Sequence, residues 1–155
     1  MESSLAGELA EISHITLAFH PRIPIRMKPT VQKSDQAYDL FMKTWNTNTI
    51  YLCEEFKVMY LNRSNRVLGI CTVSSGGLTG TVVDLRIIFS SALICLATNI
   101  IVAHNHPSGW LQPSVQDGHM TKRMSDAGKL LDIRLSDHLI ISPDGYYSFA
   151  DEGML

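Results

Sequence analysis

His104-Asn105-His106-Pro107-Ser108-Gly109, continued through Ser114 and Asp117, is the stretch from which the rest of the chain is read. Two imidazoles stand one residue apart. A hydroxyl follows eight residues after the second, and a carboxylate three residues after that. Upstream, Asn99 to Ala103 is a short apolar run of the buried-strand type. Pro107, Ser108 and Gly109 break that strand. Pro113-Ser114 then opens a helix, with Ser114 at or near its cap. At a strand end, residues 104 and 106 point to one side. On a helix, Ser114 and Asp117 share one face.

The plain account of these residues is a turn with two loop histidines, a cap serine and an acidic residue placed well for the helix dipole. The conjunction argues for more. Two neutral imidazoles and one carboxylate form a three-ligand set for Zn²⁺ that leaves the fourth position open. On this basis His104, His106 and Asp117 are the candidate metal ligands.

Composition sets the frame. The chain has 155 residues, 45% hydrophobic and 18% charged, which suits one soluble domain with a proper core. A net charge of -2 and the lack of any basic run argue against a strong nucleic-acid binder. Cys53, Cys71 and Cys95 are few, odd in number and set in apolar runs, so buried reduced thiols are expected. No apolar run is long enough for a membrane span and no leader is evident, so a cytoplasmic location is expected. Residues 1–7 are expected to be a loose tail, and residues 8–155 one domain.

Taken in order, Glu8 to Phe19 has the partial alternation of an edge strand, although Leu5, Leu9 and Ile12 also suit a helix. Pro21, Pro24 and Pro29 keep the next stretch extended. Ser34 or Asp35 is expected to cap a helix over 35–46, with Phe41 and Trp45 in the core. Thr49 to Leu61 and Arg66 to Val73 read as antiparallel strands joined by a turn over 62–65. Glu54 and Glu55 lie inside the first of these. Neighbours on a strand face opposite ways, so one of the two must face inward or along the site. Residues 74–80 form a small-residue loop. Asp84 to Thr98 is a helix whose expected buried side includes Leu85, Ile88, Phe89, Ala92 and Leu96, with Asp84 and Arg86 as helix start and ion pair. A third helix over 114–131 follows the metal loop, slightly weakened by Gly118 and Gly128, with His119 at the surface. Ile133 to Ser142 is a strand, residues 143–145 a hairpin turn, and Tyr146 to Phe149 the last strand. Asp137 and His138 suit a structural hydrogen-bonded pair better than a support for a metal ligand. This order of elements argues for an α/β fold with a mixed β-sheet flanked by helices.

His-x-His, seven residues, Ser, two residues, Asp resembles the metal motif of the JAB/MPN-type (JAMM) metalloproteases. The longer string His104 to Gly109, with Asp84-x-Arg86 upstream and Asp137-His138 downstream, resembles the RadC family over roughly residues 8–155. The chain looks like a short form without the helix-hairpin-helix segment found in longer RadC proteins. The resemblance implies the JAB1/MPN fold, a layout similar to cytidine deaminases. It implies a zinc-dependent metallopeptidase acting on a protein or peptide substrate, with Zn²⁺ on His104, His106 and Asp117. In the family a glutamate on the first hairpin strand precedes an aromatic by two residues. Glu54 fits that place as the general base, and Glu55 is the competing choice. Ser114 would donate to the water or the developing oxyanion. The competing class is a DNA-repair-associated accessory protein, which the family's historical name suggests and the charge disfavours. A nucleobase deaminase would need His-x-Glu and Pro-Cys-x-x-Cys, and neither occurs here.

Overall fold

The computed structural model describes residues 16, 18–76 and 82–155. The expected tail, nearly all of the expected first strand and most of the 74–80 loop lie outside the described residues.

Among the described residues five strands form one sheet in the order β2-β1-β3-β4-β5. They are β1 (Glu55–Leu61), β2 (Val67–Ser75), β3 (Asn99–Asn105), β4 (Arg134–Ser142) and β5 (Gly145–Ser148). β1 runs antiparallel to both β2 and β3, β3 and β4 are parallel, and β5 returns antiparallel to β4. The parallel pair needs a crossover, and the helix α3 (Val115–Leu130) supplies it. The other α-helices among the described residues are α1 (Ser34–Met42) and α2 (Leu85–Ile94), and one short 3-10 turn, Ile25–Met27, interrupts the stretch expected to be extended. The mixed sheet flanked by helices is the architecture expected from the element order.

Alternation along the strands divides the core in two. Phe56, Val58, Tyr60, Ile100 and Val102 meet Ile88, Phe89 and Ala92 of α2 and Met124 of α3. Met59, Leu61, Ile101, Ala103, Leu139 and Ile141 meet Ala37 and Phe41 of α1, with Trp45 and Ile50. Each of the larger aliphatic and phenylalanine side chains buried here contributes about 1.5–3 kcal/mol, so both helical layers are held by burial more than by helix propensity.

Several expectations need correction. β1 begins at Glu55, not Thr49, because residues 49–53 wind into a turn in which the Leu52 and Cys53 N–H groups both donate to the Thr49 carbonyl. α1 starts from Lys33 with no side-chain cap. Ser34 Oγ turns instead to the Tyr146 hydroxyl and to Asp151, and Asp35 accepts from the Gln36 N–H. α1 also ends four residues early. α2 stops at Ile94, so Leu96 is 81% exposed rather than buried. Leu96 sits at φ +55°, with Leu96 N–H on the Leu93 carbonyl and Ala97 N–H on the Ala92 carbonyl. That is the doubled helix-end bond in which glycine usually takes the left-handed place. α3 ends in a related way at Asp132 (φ +55°), with the Ile133 and Leu131 N–H groups both on the Gly128 carbonyl. The three cysteines are free, as expected, but only half-buried.

Candidate metal centre

β3 ends where α3 begins, and the turn between them folds both onto the carboxyl end of the parallel pair. This is where open α/β sheets gather ligands. His104 is the last residue but one of β3 and is almost fully buried, at 2% exposed. His106 lies beyond the strand on the tight turn, where Gly109 takes φ +74° and donates its N–H to the His106 carbonyl. Asp117 comes from the first turn of α3. That turn is fixed by a reciprocal cap. Ser114 Oγ accepts from the Asp117 N–H at 3.1 Å. Asp117 Oδ2 accepts from the Ser114 N–H at 2.7 Å and from the Ser114 hydroxyl at 2.6 Å. The cap is the capping-box geometry with aspartate at its third helical position.

Strand tip and helix start bring three side chains to one point. His104 Nε2 lies 3.0 Å from His106 Nε2 and 3.2 Å from Asp117 Oδ1. His106 Nε2 lies 3.6 Å from Asp117 Oδ2. A tetrahedral cation with bonds of about 2.0 Å would hold its ligand atoms about 3.3 Å apart. The observed spacings bracket that value. On the far side of its ring, His106 Nδ1 is 2.6 Å from the Trp110 carbonyl, so Nδ1 carries the hydrogen and Nε2 presents a lone pair. Lone pairs converging with a carboxylate repel one another unless positive charge stands between them. The donor set therefore fits a divalent cation, and its nitrogen and oxygen character suits zinc. These three are the group of potential ligands found among the described residues.

Burial pushes the Asp117 carboxyl up, but hydrogen bonds from protonated His104 and His106 outweigh it and hold the group far below the usual carboxylate range, so without a cation the imidazoles themselves supply the positive charge that a metal would otherwise bring to this point. The His106 imidazole is raised, first by its hydrogen bond to Asp117, with smaller help from the Trp110 carbonyl and the charges of Asp117 and Glu54, against the opposing effect of burial.

Glu54 and Glu55 part company here. Glu55 turns to the α1 face and pairs with Lys57 at 3.2 Å. Glu54 stands just before β1, and its charge acts on His106. Alternation places it with Phe56, whose ring stacks on His104 at 6.1 Å. Both backbone neighbours of Glu54 are held by Asn105, the residue between the two histidines. Asn105 Nδ2 donates to the Cys53 carbonyl at 2.9 Å and to the Ile50 carbonyl, while its Oδ1 accepts from the Glu55 N–H at 2.8 Å. Asn105 is fully buried. Sequence reasoning passed over it; the signal was its place in His-x-His, which must face away from the ligands. The Ser114 hydroxyl is directed at Asp117 in this structure rather than into open space.

Asp137 and His138 also divide. Asp137 accepts from Ser148 Oγ at 2.7 Å and from the backbone N–H groups of His138 and Ala150, a structural role. His138, expected to share it, instead reaches His104, with His138 Nε2 2.8 Å from His104 Nδ1. His119 is exposed, as expected. Exposed Trp110, Tyr51, Leu52 and Val115 lie on the segments around the site.

Fold and site together define an α/β domain built around a candidate metal centre at a strand-to-helix junction. The chain belongs to the RadC family, its residues 31–154 matching the RadC-like JAB domain. It is 50% identical over 101 residues to a UPF0758 protein of Flavobacterium johnsoniae, covering 65% of this chain and 44% of that one. It is 50% identical over 103 residues to a UPF0758 protein of Porphyromonas gingivalis, covering 66% and 45%. With the UPF0758 protein YfjY of Escherichia coli it shares 42% over 102 residues, covering 66% and 64%. The chain thus spans less than half the length of the first two relatives. Among the described residues no helix is long and apolar enough to cross a membrane.

Proposed function

We propose that this domain is a zinc-dependent hydrolase of the JAMM type that cleaves an amide or isopeptide bond in a protein or peptide substrate. The observation that supports this most is the convergence of His104, His106 and Asp117 on one point, with alternation placing Glu54 on the sheet face that Phe56 shares with His104. When bound, zinc supplies Lewis acidity, polarising a carbonyl and making water acidic near neutral pH.

The chain's own residues do the rest. Glu54 takes the proton of the attacking water and returns it to the leaving amine, first base and then acid. Asn105 holds the peptide groups on both sides of Glu54, so the backbone that carries this residue is fixed before substrate arrives. Ser114, turned from Asp117 toward the scissile carbonyl, donates to the oxyanion as charge develops. Phe56 packs against His104 and limits its motion. The exposed Trp110 and Tyr51 offer apolar surface to the chain flanking the bond.

The test begins with the zinc content of the purified protein. Wild type, His106→Ala and Glu54→Ala are then offered peptide and ubiquitin-like conjugates. Wild type should bind zinc and cleave. His106→Ala should lose zinc and activity, and Glu54→Ala should keep zinc and lose activity. Zinc-loaded wild type that cleaves neither kind of substrate would defeat the proposal.

A further inference from the structure

A chain of hydrogen bonds leaves the metal centre and returns to it. Its direction can be read from its fixed end. Thr121 Oγ1 lies 2.7 Å from the Asp117 carbonyl, which can only accept, so the Thr121 hydroxyl hydrogen is committed there. Thr121 Oγ1 also lies 2.6 Å from His138 Nδ1. With its hydrogen spent, Thr121 can only accept on that side, so His138 Nδ1 carries the ring hydrogen. A neutral imidazole has one such hydrogen, so His138 Nε2 is bare and accepts across 2.8 Å from His104 Nδ1. His104 then holds its hydrogen on Nδ1, and its Nε2 lone pair faces His106 and Asp117.

We propose that Thr121 and His138 are positioning residues that lock His104 in the one tautomer able to bind metal through Nε2. The claim rests on the metal centre proposed above and goes beyond it. The lock starts from the backbone of Asp117, itself a ligand, so two ligands are joined through the protein as well as through the cation. Thr121 is 3% exposed and His138 1%, so no water competes to reset the hydrogens. Packing holds the geometry: the His138 ring stacks on Phe149 at 4.8 Å and meets Phe56 edge-on at 5.8 Å. His106 needs no such chain, because the Trp110 carbonyl sets its tautomer directly.

Without the Thr121 hydroxyl, His138 is free to place its hydrogen on Nε2. His104 Nδ1 would then accept, and its hydrogen would move to Nε2, into the metal position. Groups that orient a metal-bound histidine are typically worth about 10- to 100-fold in metal affinity.

The experiment uses the whole chain, loaded with zinc, at pH 7.5. Zinc affinity is measured by chelator competition for wild type, Thr121→Val and Thr121→Ser. The tautomer of His138 is read by nitrogen-15 NMR of its ring. Wild type should carry the hydrogen on His138 Nδ1 and show coupling across the His138 Nε2–His104 Nδ1 bond. Thr121→Val should lose about 10- to 100-fold in zinc affinity and show a mixed or inverted His138 ring. Thr121→Ser should restore both to near wild type, which loss of packing alone would not predict. A wild-type His138 protonated on Nε2 overturns the lock, and that measurement needs no variant to fold. Equal zinc affinity in wild type and Thr121→Val overturns it as well. Both readouts are independent of hydrolysis, so an inactive protein that shows them loses the proposed function and keeps the lock.

Discussion

Lys57 and His104 are both buried polar residues of central strands, on opposite faces of the sheet, and their surroundings differ in one respect. Lys57 is 4% exposed, and its charge is answered on every side. The ammonium pairs with Glu55, donates to the Thr44 carbonyl at 2.7 Å and lies 4.4 Å from the Trp45 ring centre. Nothing further is needed there. His104 faces a second imidazole nitrogen and a carboxylate, and among the described residues no Lys or Arg cation is paired with them. A closed cluster stabilises a fold; an open one calls for a ligand. The two adjacent glutamates sort themselves accordingly, Glu55 with the closed cluster and Glu54 with the open one.

The sharpest way to break this contrast is to neutralise the two glutamates separately. Glu54→Gln should lower the hydrolytic rate about 10²- to 10⁴-fold with zinc content unchanged, and Glu55→Gln should leave the rate near wild type. Steady-state kinetics on both would show it, and a larger rate loss in Glu55→Gln would reverse the assignment. Next in size, Lys57→Met should cost about 2 kcal/mol in urea unfolding, because it leaves Glu55 and the Thr44 carbonyl without their cation. Zinc affinity should not change; if it falls, the two clusters are not independent.

A smaller effect is expected at Asp137, a buried carboxylate that belongs to neither cluster. Burial raises its pKa, partly offset by its bonds from Ser148, Ala150 and His138. A carboxyl raised in the folded state destabilises when ionised. That cost is present above the raised value and is relieved as pH falls toward the ordinary value of about 4. Asp137→Asn can keep all three bonds, accepting two and donating to Ser148. It should match or exceed wild type by about 1 kcal/mol at pH 7, and the gain should shrink as the pH is lowered toward 4.5. A gain that grows on acidification would refute the sign. Smallest is Gly118→Ala, where an added methyl meets no atom within 4 Å. It should stabilise α3 by about 0.5–1 kcal/mol in thermal melts. The same change at Gly128 would meet the Ile133 carbonyl oxygen at 2.2 Å and should destabilise instead.

The contrast also explains which parts were legible in the sequence. His104, His106, Ser114 and Asp117 fall within one stretch, and local rules for strand ends and helix caps suffice to bring them together. The sheet followed from the alternation of apolar runs and the turn signals between them. The turn over 49–53 was hidden because its apolar residues imitate a strand. What bends it is Asn105, whose contacts come from some fifty residues away. Leu96 was misplaced because helical spacing extends through it, while the need to turn back into β3 ends the helix first. His138 could not be separated from Asp137 by pattern, since alternation says that they face apart but not which one faces the metal.

The three candidate ligands fall within one short stretch of chain, whereas Glu54 comes from just before β1 and His138 from β4, on either side of β3. A nascent chain that has reached the start of α3 already carries Glu54 and all three candidate ligands, while the residue proposed to set the tautomer of His104 waits for β4. On the proposed reading, metal captured early would be held loosely and gripped more firmly as the last strands dock, and completion of the sheet would itself arm the site.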